Sequence, residues 1–201
     1  MRMRKSWLLA IAVTLVVGTG LIVGVGRGWA DDEEDKEIAD AVRKIAKAVA
    51  ANKPDEAKKE AEALVAKKKD LGDVMNMFKA RKNGGLGIGA KAGAIMPDGI
   101  EAKVLALAKK RLTAAEVKGQ AADLDKMGDD IAAISYVGDV HTPKKKDGAK
   151  DPKDWTKWME DMRKGAKDLS KAAKAQDAAA IKDAAMKANA SCSNCHGVFR
   201  D

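Results

Sequence analysis

Apolar residues recur at spacings of three and four through most of the chain, which is the period of one face of a helix. The pattern is clearest near the C-terminus, where Trp155, Trp158, Met162, Ala166, Leu169 and Ala173 form one stripe. Ala178, Ile181, Ala185, Ala188, Cys192, Cys195 and Phe199 form the next, alternating three and four without a break. The short Ala175-Gln176-Asp177 turn between the stripes predicts an antiparallel helical hairpin. The segment Asn52-Lys53-Pro54-Asp55 reads as a weaker copy of that turn.

Prolines bracket the remaining elements, because proline suits a first helical turn or a loop and little else. The marks predict helices over Glu34 to Ala51, Pro54 to Lys82, Asp98 to Leu112, Thr113 to Tyr136, Pro152 to Ala175 and Asp177 to Arg200. Thr113-Ala114-Ala115-Glu116 has the spacing of a capping box. Loops are expected over Asn83 to Met96 and Val137 to Asp151. The glycines from Gly84 to Gly89 lack the Gly-Lys-Ser/Thr ending of a phosphate loop and are read as a flexible surface connection.

The first 30 residues differ from the rest. A cationic start (Arg2, Arg4, Lys5) precedes an apolar run from Trp7 to Gly26, and small residues at Gly28 and Ala30 follow. This is the pattern of an export signal, with the mature chain starting near Asp31. A retained membrane anchor is the alternative, since 20 apolar residues can span a bilayer. The expected localisation is periplasmic or otherwise exported. Removing Arg2, Arg4, Lys5 and Arg27, with no acidic residue among them, lowers the formal charge from +8 to +4. The remaining lysines are interleaved with carboxylates along every helix, so nucleic acid is not an expected partner.

Composition sharpens this reading. Alanine is the commonest residue, against two Phe, one Tyr and four Trp, and β-branched residues thin out after the first 26 positions. An all-α fold follows. Burying alanine removes little apolar area from water, so an alanine-rich core calls for a filler such as a flat cofactor.

The chain offers a means of attaching one. Its only two cysteines form Cys192-Ser193-Asn194-Cys195-His196, the C-x-x-C-H pattern of covalent haem attachment. Thiols one helical turn apart can form thioethers to the two vinyl groups of one haem edge, and the adjacent histidine can reach the iron. A disulfide would leave His196 unexplained, and a thioredoxin-like pair lacks its alternating strands and helices. A zinc site would have to recruit His141, the only other histidine.

The run Cys192 to Arg200, on the last helix, resembles the class II c-type cytochromes, the cytochrome c prime family. The likeness is good over residues 152–201, reaches back to Asp98, and is not evident for 31–97. It implies a four-helix-bundle core over residues 98–201, carrying one haem c bound through Cys192 and Cys195, with His196 as proximal iron ligand. Residues 31–97 are then an additional N-terminal helical hairpin and Gly-rich loop. Arg200, four positions after the histidine, is the family's basic residue near the haem.

In that family the first bundle helix covers the distal face with either a methionine or an apolar residue. Asp98 to Leu112 contains no methionine, so Leu105 or Leu107 would cap a five-coordinate iron. The first hairpin offers Met75 as a candidate distal ligand instead, on the stripe Ala61, Leu64, Lys68, Leu71, Met75 and Phe78, with Met77 facing away. Met96, Met127 and His141 are weaker choices. One-electron transfer is the leading function, with binding of nitric oxide or carbon monoxide as the alternative. An enzyme such as a peroxidase is not expected, because no distal His and Arg pair is identifiable. The expected partners are redox proteins, a diatomic gas ligand and, as an assembly option, a second copy of the chain in a homodimer.

Overall fold

The computed structural model describes residues 29–67 and 69–200, and the regular elements among them are helices: α1 (Trp29–Ala50), α2 (Pro54–Ala66), α3 (Leu71–Asn76), α4 (Ile100–Lys109), α5 (Ala114–Val140), α6 (Pro152–Lys174) and α7 (Ala178–Phe199). The proposed export segment, residues 1–30, lies outside the described residues except for the first two positions of α1. No helix among the described residues is long and apolar enough to cross a membrane.

Helices α4 to α7 form a bundle in which α6 packs between α5 and α7, and α4 packs on α7. The hairpin of α1 and α2 lies on the other side of α5. Covered on both flanks, α5 is buried almost continuously from Met127 to Gly138. That explains why its apolar pattern loses the one-sided periodicity seen in α6.

Both hairpin turns close in the same way. Asp177 N–H donates to the Ala172 carbonyl and Gln176 N–H to Ala173, while Lys53 N–H donates to Ala48 and Asn52 N–H to Val49. This is the Schellman arrangement, and it places Asn52 (φ 55°) and Gln176 (φ 54°) in the left-handed region. The copy differs in its next cap: Asp177 accepts from Ala179 and Ala180 N–H, whereas Lys53 supplies no side-chain cap. Thr113 and Glu116 form the expected capping box at the start of α5.

Three expectations need correcting. The helix expected from Pro54 to Lys82 is broken after Ala66, because the Lys-rich segment ends in Asp70, whose carboxylate accepts from Gly72 N–H and starts α3 afresh. Met77, the residue after α3, is fully buried. The glycine segment is also not a free surface loop, since Leu86 and Ile88 are buried within it. Finally, α5 continues one turn past Tyr136 to Val140.

Candidate functional site

The C-terminal half of α7 positions the cysteine motif. Residues 188, 192, 195 and 199 share the helix face that meets the bundle. Cys195 is buried and Cys192 half-buried, and both are free thiols. Cys192 Sγ lies 3.9 Å from Met162 Sδ on α6. The two helices come close because Gly165 of α6 has no side chain: a Cβ there would stand 2.8 Å from the Ala188 nitrogen. At the end of α7 the Phe199 ring meets Trp155 edge-on at 4.8 Å and Trp158 at 5.8 Å. Trp155 in turn donates from Nε1 to the Gly138 carbonyl at 2.8 Å, tying this end of the bundle to α5.

Cys192, Cys195 and His196 converge on one narrow cleft of about 150 Å3. Its walls are mostly apolar: Ile100 and Val104 of α4, Ile131 of α5, and Met159 and Met162 of α6. Met75 of α3, Phe78 just beyond it and Ala188 of α7 add to them, and the polar groups of the lining are the Glu101 carboxylate on the α4 side and Asn189 and Ser193 beside the motif on α7. Burial pushes the Cys192 thiol up to about 11, with Cys195 and Glu101 adding to the rise and a hydrogen bond from Ser191 opposing it. Burial raises the Cys195 thiol as well. Both sulfurs are therefore protonated at neutral pH, which makes them poor partners for disulfide exchange.

This donor set suits a c-type haem. Two thiols at i and i+3 with an imidazole at i+4, on the wall of an apolar cleft, match what thioether attachment and axial ligation require. Unbranched Met75, Met159 and Met162 can repack around a flat ring as aromatic or β-branched walls could not. The zinc alternative finds no support: His141 caps the end of α5, away from the cleft. Among the described residues no group of three or more His, Cys, Asp and Glu is placed to hold a metal. Burial lowers the His141 pKa, partly opposed by Asp70.

The other predicted residues separate clearly. Met75 lies on the cleft wall, Met127 is core packing inside α5, and Met96 is exposed. The α4 residues expected over the iron are not on the cleft: Leu105 is exposed, and Leu107 is buried elsewhere. Leu105 is turned off the face that Ile100 and Val104 present, whereas Leu107 shares that face but lies a turn further along α4, beyond the residues that line the cleft. Arg200 is exposed at the C-cap of α7, its N–H donating to the His196 carbonyl, and it is not part of the cleft wall.

Sequence reasoning missed a polar clamp beside the cleft. Arg81 Nη1 donates to Asp98 Oδ1 at 2.9 Å and to the Ile88 carbonyl at 3.2 Å, while Nη2 donates to the Gly89 carbonyl. Asp98 also accepts from the N–H groups of Arg81 and Ile88, both at 3.2 Å. Nearby, the buried Lys103 ammonium donates to the Met96 carbonyl and to Gln120 Oε1. No periodicity signals such contacts. The position of Met159, four residues after Trp155 and three before Met162, was a readable hint that it shares their face.

Searches of curated proteins and of solved structures find no match to the chain. The model of the family described as Cytochrome C' matches residues 100–200, which begins at the first residue of α4 and takes in the whole bundle. The chain thus belongs to the cytochrome c prime family, with α1 to α3 added ahead of the family's bundle.

Proposed function

We propose that the chain is an exported cytochrome that carries one haem c and binds a diatomic gas, nitric oxide or carbon monoxide, on the distal side of the iron. Residues 1–30 would direct export, 31–97 would form the addition, and 98–201 the haem-binding bundle. Cys192 and Cys195 would hold the haem as thioethers and His196 would be the proximal ligand. Arg200 would sit near the haem edge, where its charge can meet a propionate. When bound, the haem supplies an iron that changes oxidation state by one electron and takes axial ligands.

The observation that carries this reading is the apolar cleft. Ile100, Val104 and Ile131 offer no donor, acceptor or metal ligand to whatever lies against them. Such walls exclude water and favour small, uncharged ligands. The family's hallmark is a five-coordinate iron that binds diatomic gases, and its members are haem carriers rather than enzymes. This reverses the order read from the sequence, where plain electron transfer stood first.

One observation supports the electron-carrier reading: the Met75 thioether on the cleft wall. A methionine ligand would give a six-coordinate, low-spin iron. The ferrous spectra of wild type and Met75→Leu, each with and without carbon monoxide, separate the two. We expect both proteins to be high-spin and to bind the gas. A wild type that is low-spin and refuses carbon monoxide, beside a Met75→Leu protein that accepts it, would replace gas binding with electron transfer to redox partner proteins.

A further inference from the structure

Sulfur is concentrated in the cleft beyond what its size explains. Of the nine methionines and two cysteines of the chain, Met75, Met159, Met162, Cys192 and Cys195 all line this one space. Methionine fills gaps in many cores, so a thioether by itself signals nothing. What sets the group apart is the contact of a thioether with a thiol: Met162 Sδ lies 3.9 Å from Cys192 Sγ. Two sulfurs held by one ion at about 2.3 Å, in trigonal or tetrahedral geometry, stand about 3.8–4.0 Å apart. The pair is already at the spacing of two ligands.

The surroundings suit a soft cation. Met162 is buried, and α6 is held against α7 where Gly165 meets Ala188, so the two sulfurs are brought together by the packing of the helices. Cys195, one turn on from Cys192 and buried, lines the same cleft and supplies a third sulfur. The apolar walls at Ile100, Val104 and Ile131 bring no oxygen ligand to compete. The cleft is open on its α7 side, where Ser193 and His196 are exposed, so an ion can enter from solvent. Thiolate and thioether together select copper(I), whereas zinc is held by thiolate, imidazole and carboxylate.

We propose that, before haem is attached, Cys192, Met162 and Cys195 bind one copper(I) ion in the cleft. Each cysteine coordinates as a thiolate and releases its proton to solvent, Met162 coordinates as a neutral thioether, and no electron is transferred. The ion occupies the same two sulfurs that thioether bonds to haem require. Copper(I) and covalent haem therefore exclude each other at this site. The site does not depend on the gas-binding reading above.

The test titrates copper(I) into the exported form, residues 31–201, produced without haem and kept anaerobic, in competition with a chromophoric copper(I) chelator. Wild type should take up one ion per chain, and X-ray absorption should show three sulfur neighbours at about 2.3 Å. Met162→Leu nearly conserves volume, so it should keep the helical content read by circular dichroism and weaken binding on the order of tenfold, equivalent to about 1.4 kcal/mol. Cys192→Ala should weaken it further. Met186→Leu, whose thioether is exposed on α7 outside the cleft, should match wild type. The haem-loaded protein should take up no copper(I) at this site. Unchanged affinity in folded Met162→Leu would put the ion on the two thiols alone and overturn the three-sulfur site. Equal uptake by haem-loaded and haem-free protein would overturn it too, as would a haem-free chain that binds no ion or forms no helices. None of these outcomes bears on gas binding, which the ferrous spectra test separately.

Discussion

The hairpin of α1 and α2 and the hairpin of α6 and α7 close with the same turn yet solve the packing problem in different ways. In the first, Ile38, Val42 and Ile45 are fully buried beside Ala57 and Ala61, large residues set among small ones. That interface completes itself with side chains. In the second, Gly165, Ala166, Ala173, Ala184, Ala185 and Ala188 bring the helices close, and the space beyond them opens into the cleft at Met159, Met162 and Cys192. Small residues there bring the two helices together at the edge of the cleft. The same turn therefore serves a structural element in one place and a cofactor site in the other.

The sharpest way to test that contrast is to remove the attachment chemistry. Cys192→Ala combined with Cys195→Ala should abolish covalent haem, read as loss of all colour from the protein after acid-acetone extraction. Its unfolding midpoint should fall by roughly 10 °C, as expected for about 3–4 kcal/mol in a chain of this size. Wild-type protein that gives up all its haem to the same extraction would sink the attachment claim.

The opposite perturbation goes into the self-completed hairpin. Ile45→Ala should cost about 3 kcal/mol through lost transfer energy and an unfilled cavity, measured by denaturant unfolding. Haem content and the ferrous spectrum should stay as in wild type. A change in either would mean that the addition shapes the site through its core and not only through the edge at Met75 and Phe78.

A smaller effect lies at the junction of α5 and α6, where burial and then the neighbouring Asp125 raise Asp129 to about 6, with Lys174 and Ser170 opposing. A carboxyl whose pKa is raised by folding contributes its stability below the unfolded value, and that contribution is lost as pH climbs through about 6. Asp129→Asn should therefore stabilise the protein at neutral pH by on the order of 1 kcal/mol, a figure reduced for the half-exposed position. The gain should vanish near pH 4. Equal gain at both pH values would point to a cause other than titration.

Much of this was open to reading from local pattern. The bounds of α6 and α7, the turn between them and the Cys192, Cys195 and His196 motif all depend on residues within a few positions of one another, and each was legible in order along the chain. The all-α class followed from composition for the same reason, since helix propensity is a property of single residues and their near neighbours. The choice of residues that wall the cleft was of another kind. It depended on which face α4 turns to α7 and on how far along α4 the cleft reaches. Asp70 sets the start of α3, and the Arg81 and Asp98 clamp, joining positions 17 residues apart, holds the approach to α4. Contacts between distant residues leave no period in the sequence. That is why Val104 and Ile100 rather than Leu105 and Leu107 face the cleft, and why Phe78 ends up as its outer wall: tertiary packing decided both.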